Sequence, residues 1–396
     1  MSESDSSPEN KLQPETLAIH SRRVYERESN SILFPIHQTA TYVHESVGVL
    51  KAGYGYSRGG NPTVNALEQA ISALEGTEQA LCFRSGMAAI TTMCMGLLKA
   101  GDHVILSEVI YGGTVRLFQQ VLGNFGIGYS YVDTTDMDAV RAAIRPESKL
   151  MFVETPANPT MKLTDVAAMA EIAHANGMLL AVDNTFLTPL LQNVLNLGAD
   201  LAMLSTTKYI DGHNATIGGS LASHDVAMMD RLRLVRKTIG TISSPMDAWL
   251  TLQGVKTLPT RLKMHVENAG IVAAWLEGNP RVVRVNYPGL KSFPQYALAQ
   301  KQQKAAGGML SFELDATTVQ AIAFINALKL TTCAESLGSV ESLITNPATA
   351  SHCDLPKAER ARLGISDGLI RLSVGLESPQ DLIADFDRAL TEVFQK

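Results

Sequence analysis

The chain of 396 residues contains little of what marks a disulfide-rich, metal-binding or membrane protein. Its four cysteines are scattered without CxxC spacing, which argues against a disulfide framework and against a zinc site. No apolar stretch approaches the ~20 residues that a membrane helix needs. The formal net charge is −6 at pH 7, so the chain has no global attraction to nucleic acid or to an anionic membrane. We therefore expect a protein of the reducing cytoplasm that binds neither nucleic acid, nor membrane, nor metal.

The first residues also lack the apolar core of a secretory signal. Residues 1–10 are acidic and rich in serine, so we expect a disordered lead-in there. Residues 15–60 show no sustained hydrophobic period and predict an extended arm with turn-forming residues near its end. The overall composition, with 45% hydrophobic and 18% charged residues, is typical of a globular protein, and the length suggests two domains.

From residue 61 onward, short apolar runs alternate with amphipathic helical patterns. The first helix can begin with Asn61 as its cap and Pro62 as its first residue, and it can end at Gly76. Strands are predicted over residues 80–83, 103–106, 129–132, 150–153, 179–182 and 201–204, the last closing the series. Further helices are predicted over residues 86–98, 114–122 and 165–175. This alternation predicts an α/β fold with a mostly parallel sheet covered by helices on both faces, and ligands would bind where the strand ends meet.

The pattern changes after about residue 240. Residues 246–276 read as a largely helical segment that Pro259 could interrupt. Apolar runs at 310–314 and 370–374, followed by a final helix over 379–394, predict a smaller α+β domain. We therefore divide the chain into three parts, an arm over 1–60, a sheet domain over 61–255 and a C-terminal domain over 256–396.

Lys208 is the most informative residue in the sequence. It follows the apolar run 201–204 and a stretch of three hydroxyl residues, 205–207. A lysine enclosed at the end of a buried strand is desolvated, which lowers its pKa and makes it a nucleophile. The ordinary alternative for this stretch alone is a lysine that leaves the strand for solvent, because most lysines are exposed.

Three other predicted strands are also followed by residues that suit a ligand site. After strand 80–83, Ser85-Gly86-Met87 begins a helix whose free amides and dipole would bind a phosphate, although a tight turn explains these residues as well. Asp183 follows a buried strand and needs a cationic partner such as a protonated pyridine nitrogen, unless it caps a helix. Asn158 lies in a proline-rich turn after another strand. A phosphate turn, an aspartate and a lysine in this order predict a pyridoxal 5'-phosphate site.

Longer motifs occur along the chain in a characteristic order. They are Tyr56-Ser57-Arg58, Gly60-Asn61-Pro62-Thr63, Ser85-Gly86-Met87, Tyr111-Gly112-Gly113-Thr114, Glu154-Thr155-Pro156-Ala157-Asn158-Pro159, Val182-Asp183-Asn184-Thr185, Thr207-Lys208-Tyr209, Gly364-Ile365-Ser366-Asp367 and Ile370-Arg371-Leu372-Ser373-Val374-Gly375. With them the chain resembles the Cys/Met-metabolism (trans-sulfuration) family of fold-type I pyridoxal phosphate (PLP) enzymes, from about residue 30 to the C-terminus. The resemblance implies that the sheet domain binds PLP.

The family resemblance implies a set of cofactor contacts. Lys208 would bind the cofactor covalently and move protons afterwards. Asp183 would pair with the pyridinium nitrogen and keep the ring an electron sink. The phosphate would be held by backbone amides and hydroxyl groups of Gly86, Met87, Ser205 and Thr207. Tyr111 would stack on the ring and act as an acid or base.

The resemblance also implies contacts with substrate and with a second subunit. Arg371 and Asn158 would hold the α-carboxylate of an amino-acid substrate, a role that suits a planar guanidinium. Ser336 would lie in the same substrate site. Tyr56 and Arg58 would reach the phosphate in a neighbouring subunit, so the arm would complete the partner's site. The expected assembly is a homotetramer of two catalytic dimers.

The segment Ala334-Glu335-Ser336-Leu337-Gly338 resembles cystathionine γ-synthases and γ-lyases, in which the glutamate matching Glu335 lies near the distal amino group of cystathionine. Gly113 departs from methionine γ-lyases, which usually have a cysteine there. Gly55 stands where many γ-synthases and γ-lyases have an acidic residue, so one of two expected carboxylates is missing. The resemblance therefore implies an enzyme that makes or breaks a C–S bond at the γ-carbon.

Several related functions stay open on the sequence. Within the family they are O-succinyl- or O-acetylhomoserine sulfhydrylase, cystathionine β-lyase and methionine γ-lyase. An aminotransferase and a non-catalytic scaffold are alternatives from other classes. The motifs at residues 111–114 and 334–338 argue against an aminotransferase, and the presence of Lys208, Asp183 and Arg371 argues against a scaffold.

Overall fold

The structure, a computed structural model, describes residues 12–20, 29–351 and 353–394. The predicted lead-in over residues 1–10 lies outside these ranges. The arm contains more regular structure than its sequence indicates, namely helix α1 (Pro14–His20) and a hairpin of β1 (His44–Ser46) and β2 (Val49–Leu50). These elements depart from the prediction of an extended arm, because segments this short show no hydrophobic period in the sequence.

Among the described residues, the large sheet has seven strands. They are β3 (Gln79–Phe83), β4 (His103–Ser107), β5 (Gly128–Val132), β6 (Ser148–Glu154), β7 (Leu179–Asp183), β8 (Leu201–Leu204) and β9 (Gly219–Ser223). Their order across the sheet is β3-β9-β8-β7-β6-β4-β5, and β9 alone runs antiparallel to its neighbours within it. The predicted α/β class with a mostly parallel sheet is confirmed.

Strand β9 corrects the expectation that the series of strands ends at residue 204. Its sequence is rich in small residues and has no apolar alternation. The reason is close packing, because a Cβ atom on Gly219 would lie 2.5 Å from the carbonyl oxygen of Ser85 and 2.8 Å from Cα of Gly86. The small residues of β9 thus allow the turn at Ser85 and Gly86 to approach the sheet.

Helices flank the large sheet on both faces. They are α2 (Pro62–Glu75), α3 (Gly86–Leu97), α4 (Gly112–Arg116), α5 (Met137–Ala142), α6 (Val166–Ala175), α7 (Thr188–Leu191) and α8 (Val226–Ile239). Neighbouring strand residues alternate between two cores, since Leu106 and Phe152 pack with α3 and α8, whereas Ile105 and Met151 pack with α6. The predicted caps of α2 are confirmed, with the Asn61 side chain accepting a hydrogen bond from Thr63 N.

Two predicted helical segments are helical in the structure, but each differs from its expected form. The helix expected over 114–122 is α4 followed by a π-helical turn, Leu117–Val121, and a 3-10 turn, Leu122–Phe125. Pro259 does not interrupt its helix, because α9 runs unbroken from Pro245 to Glu277. The first half of α9 packs against the core below the large sheet, and its second half packs against the core of the C-terminal region. This burial on both sides of Pro259 keeps the helix continuous.

In the described part of the C-terminal region, five strands form the second sheet. They are β10 (Val282–Asn286), β11 (Met309–Leu314), β12 (Thr332–Cys333), β13 (Leu343–Thr345) and β14 (Leu369–Ser373). The accompanying helices are α10 (Tyr296–Gln302), α11 (Thr318–Ala327), α12 (Lys357–Arg362) and α13 (Pro379–Phe394). The boundary predicted at residue 255 falls inside α9, and the division into domains stays a prediction.

Candidate active site

The predicted site residues follow the carboxyl ends of adjacent strands. Glu154 ends β6 and Asp183 ends β7, and the two residues pair in the sheet register. Lys208 lies just beyond β8, the next strand. Because these strands are parallel, their ends meet at one edge of the sheet, where the C-terminal region closes a cavity of about 320 Å³.

Most of the site residues expected from the sequence line this cavity. They are Gly86, Met87, Tyr111, Asn158, Asp183, Ser205, Thr207, Lys208, Glu335, Ser336 and Arg371. The two exceptions are Tyr56 and Arg58. Tyr56 is 54% exposed, and the Arg58 guanidinium donates a 2.6 Å hydrogen bond to the carbonyl oxygen of Lys237. In their own subunit they add nothing to the cavity, so their contact with a neighbour's site stays a prediction.

Lys208 is held and desolvated at the cavity wall. Its Nζ donates a hydrogen bond of 2.9 Å to the Ser336 hydroxyl. Burial and the nearby Arg371 charge lower the pKa of Lys208 to about 8, and Glu335 acts in the opposite direction. The backbone just after Lys208 is fixed by Arg261, which donates to the carbonyl oxygen of Tyr209 at 2.7 Å. A lysine in this setting loses its proton at a lower pH than an ordinary lysine does, and its neutral form is a nucleophile.

Asp183 and Glu154 place two carboxyl groups at neighbouring strand ends. Oδ1 of Asp183 accepts hydrogen bonds from Thr185, from N at 3.0 Å and from Oγ1 at 2.5 Å. Burial raises the pKa of Asp183 to about 6, while burial and the charge of Asp183 raise the pKa of Glu154 to about 8. Two buried carboxylates need a cation to be ionised together, and a protonated pyridine nitrogen at Asp183 fits that need.

The end of the cavity next to α3 fits a phosphate group. The Ser85 hydroxyl caps α3 by accepting from Ala88 N at 3.0 Å. Gly86 and Met87 are the first two helical residues, whose amides an α-helix leaves without a partner within the helix. A Cβ atom on Gly86 would lie 3.1 Å from Cβ of Ser205, so glycine allows the close approach of that hydroxyl residue. These amides and the helix dipole can bind an anion.

The opposite end of the cavity fits a carboxylate. Arg371 lies on β14 of the second sheet and is buried, with burial lowering its pKa to about 10. Its Nη1 donates to Asn158 Oδ1 at 3.1 Å, and its Nη2 donates to the carbonyl oxygen of Ser336 at 2.8 Å. Its Nε–H is buried without an acceptor among the described residues. The guanidinium therefore keeps unused donors, as a site that holds a substrate carboxylate requires.

The segment that carries Glu335 and Ser336 brings a further charge to the cavity. Ser336 has a φ angle of 115°, in a region that residues other than glycine rarely adopt. This backbone turns the Ser336 hydroxyl toward Lys208. Glu335 is exposed at the cavity, and its charge raises the pKa of both Lys208 and Arg371. It therefore places a carboxylate near the two cationic side chains, and no ion pair of Glu335 is found among the described residues.

Tyr111 projects into the cavity from the start of α4. The tyrosine is 46% exposed, and its backbone N–H donates to Glu154 Oε2 at 2.8 Å. A Cβ atom on Gly113 would overlap the Tyr111 ring and lie 2.9 Å from Met87 Sδ. The Tyr111 ring can therefore occupy its observed position only because residue 113 has no side chain. The sequence reasoning did not select Glu154, although its position directly after an apolar strand is the signal that identified Asp183.

The described residues contain no group of three or more His, Cys, Asp or Glu side chains that could hold a metal ion. No helix within the described ranges is long and apolar enough to cross a membrane.

Comparisons with known proteins agree with this geometry. Cystathionine gamma-lyase from Dictyostelium discoideum is 44% identical over 375 residues, which cover 95% of this chain and 97% of that protein. Cystathionine beta-lyase from Coxiella burnetii is 42% identical over 378 residues, which cover 95% and 97%. The crystal structure of cystathionine gamma-lyase from Lactobacillus plantarum complexed with L-serine superposes with a TM-score of 0.92 at 38% identity, covering 96% of this chain and 99% of that one.

The family profile described as "Cys/Met metabolism PLP-dependent enzyme" matches residues 15–391. That range includes the strand ends, the turn at the start of α3 and the arginine of the cavity. The chain therefore belongs to the Cys/Met metabolism family of PLP-dependent enzymes, as its motifs predicted.

Proposed function

We propose that this PLP-dependent trans-sulfuration enzyme breaks or makes the C–S bond at the γ-carbon of an amino acid, with cystathionine as substrate or product. The observation that carries the proposal is the position of Glu335 beside Arg371 and Lys208 in one cavity. Cystathionine has a carboxylate near its reacting carbons and a second ammonium group at its far end. A guanidinium with a free carboxylate next to it matches both groups by charge.

In this proposal the cofactor is held by Gly86, Met87, Tyr111, Asp183, Ser205, Thr207 and Lys208. When bound, PLP supplies an electron sink for negative charge that develops at the α-carbon of the amino acid. The amides at the start of α3 bind the phosphate, together with the Ser205 and Thr207 hydroxyls. Asp183 provides the anion that keeps the pyridine nitrogen protonated.

The proton transfers fall to Lys208 and Tyr111. A neutral Lys208 amine would take the proton at the α-carbon, return it elsewhere on the bound substrate and cofactor, and so be neutral again to take a proton at the β-carbon. The γ-substituent would then leave as a thiolate, and an acid in the cavity would supply the proton that makes it a thiol. Tyr111, with its ring on the cavity wall, stacks on the cofactor and serves as an acid or base. Arg371 and Asn158 hold the α-carboxylate so that the α-proton faces Lys208. Ser336, bonded to Lys208, lies where it can contact the substrate.

The proposal extends to the assembly. Tyr56 and Arg58 lie outside the cavity of their own chain, which suits an arm that completes the site of a neighbouring subunit in a homotetramer of two catalytic dimers. The exposed free cysteines Cys333 and Cys353 suit a reducing compartment, and we propose a cytoplasmic location.

Product identity tests the proposal. The purified enzyme is given cystathionine alone, and then an activated homoserine with cysteine, and products are identified by mass. Cysteine with 2-oxobutanoate and ammonia indicates γ-lyase activity, and cystathionine from the second mixture indicates γ-synthase activity. Homocysteine with pyruvate would instead show β-elimination, and a 2-oxo acid that keeps the sulfur would show an aminotransferase; either product overturns the proposal. The β-lyase relative at 42% identity makes this comparison necessary.

A further inference from the structure

Glu154 is a buried carboxylate at the centre of the site that the proposed chemistry leaves without a role. It is the last residue of β6, a central strand, and only 6% of the residue is exposed. Its backbone N–H donates to the Ser107 hydroxyl at 3.0 Å, which fixes the strand end to β4. The side chain therefore extends from a rigid position to the cavity wall.

The two carboxylate oxygens of Glu154 bind two different loops. Oε2 accepts from the backbone N–H of Tyr111 at 2.8 Å, in the loop after β4. Oε1 accepts from the backbone N–H of Asn158 at 3.0 Å, in the loop after β6. One side chain thus sets the distance between a loop that carries the proposed ring contact and a loop that carries a proposed substrate contact.

Through Asn158, the Glu154 side chain is also connected to Arg371, the residue proposed to bind the substrate carboxylate. The Oδ1 atom of Asn158 accepts from Arg371 Nη1 at 3.1 Å, although the two residues are 213 positions apart in the chain. A continuous series of hydrogen bonds therefore runs from the Tyr111 backbone through Glu154 and Asn158 to the guanidinium. Movement of the Glu154 side chain would displace both ends of the cavity together.

We propose that Glu154 is a positioning residue that holds Tyr111 against the cofactor ring and Asn158 against Arg371 at the same time. The proposal rests on the function proposed above, because the roles of Tyr111 and Asn158 belong to it. Accepting one N–H on each oxygen requires both oxygens as acceptors, which the carboxylate provides and an amide does not.

The test is the isosteric variant Glu154→Gln. Its amide has one acceptor oxygen, so one of the two N–H groups faces an NH₂ group and its loop shifts. We expect kcat to fall and KM for the amino-acid substrate to rise, each by about tenfold to a hundredfold, since a buried backbone N–H loses its acceptor. The visible circular dichroism of the bound cofactor should change as well, because the aromatic ring beside it moves.

The matched control is Glu75→Gln at the end of α2. Glu75 is also a buried glutamate with a pKa raised by burial, but its carboxyl oxygens have no hydrogen-bond partner among the described residues. It lies outside the cavity, so this variant should keep the kinetic constants and the dichroism of the wild type. A double-mutant cycle adds a second control: in the Asn158→Ala background, Glu154→Gln should raise KM much less than it does alone.

Wild-type values of kcat, KM and dichroism in Glu154→Gln would overturn the proposal, as would a change in thermal stability alone. If Glu154→Gln does not fold, the same measurements are made on Glu154→Asp. Its shorter side chain must draw both loops inward, so the same changes in kcat, KM and dichroism are expected. A wild-type enzyme that acts on none of the amino-acid substrates would refute the proposed function. In that case the cofactor dichroism of the variants still decides the role of Glu154.

Discussion

The Nζ atom of Lys208 lies 2.9 Å from the hydroxyl oxygen of Ser336, a residue 128 positions later in the chain. Lys208 belongs to the edge of the large sheet, whereas Ser336 belongs to the C-terminal region and has a positive φ angle. Lys208 is buried at this wall of the cavity, and its burial together with the charge of Arg371 lowers the pKa of Lys208 to about 8.

This lowered pKa predicts how the cofactor attaches. The rate at which apoenzyme binds PLP covalently should rise with pH and reach half its maximum near pH 8, because only the neutral amine of Lys208 is nucleophilic. Borohydride reduction at timed intervals, followed by peptide mapping, measures the modified fraction and should identify Lys208. Glu335→Ala should lower the midpoint, since Glu335 raises the pKa of Lys208. A midpoint near that of an ordinary lysine, about 10.4, or a label on another lysine would refute this account.

Substrate discrimination should depend on Glu335. Glu335→Ala removes the carboxylate proposed for the distal ammonium of cystathionine, a contact worth ~1.5–3 kcal/mol, so KM for cystathionine should rise about tenfold to a hundredfold. Methionine and O-acylhomoserine have no distal ammonium and should be affected little. The measurement is the ratio of the two effects in one preparation. An equal loss on both kinds of substrate would show that Glu335 has only a structural role.

The proposed sharing of sites between subunits predicts complementation. Arg58→Ala and Lys208→Ala should each be inactive, because one loses the arm's contact and the other loses the nucleophile. After exchange of subunits between the two proteins, some sites combine an intact arm with an intact lysine, and activity should return to those sites. Mass spectrometry of the intact assembly checks that exchange has occurred. If the mixtures exchange subunits fully and stay inactive, Arg58 acts within its own subunit and the prediction is wrong.

Of the two neighbouring glycines 112 and 113, Gly113 should tolerate a side chain less well. In Gly113→Ala the new methyl group overlaps the Tyr111 ring and lies 2.9 Å from Met87 Sδ, so the ring must move. We expect kcat to fall about tenfold to a hundredfold, within the usual contribution of a group that transfers a proton. Gly112→Ala is the control, because its nearest neighbouring atoms lie 3.6 Å away. Equal activity of the two variants would contradict the proposed role of the ring.

Local sequence was enough to locate the strand ends that build the site. Asp183 and Lys208 were identified from apolar runs followed by polar residues, and the structure has these strands at the predicted positions. The caps of α2 were predicted equally well, because a cap depends on a few adjacent residues. Strand β9 could not be predicted from the sequence. Its small residues are required for close packing against the turn at Ser85, and they show no hydrophobic alternation.

The contacts that turn these strand ends into a site are decided by tertiary structure. The sequence alone determined the fold class, the family and the residues at the strand ends, because burial periodicity and motifs are local and ordered along the chain. It did not determine that Glu154 binds both Tyr111 and Asn158, or that Ser336 reaches Lys208. These partners come from distant segments, and their distances depend on how two sheets and their helices pack. Such packing also excludes the water around Lys208, and therefore sets its pKa.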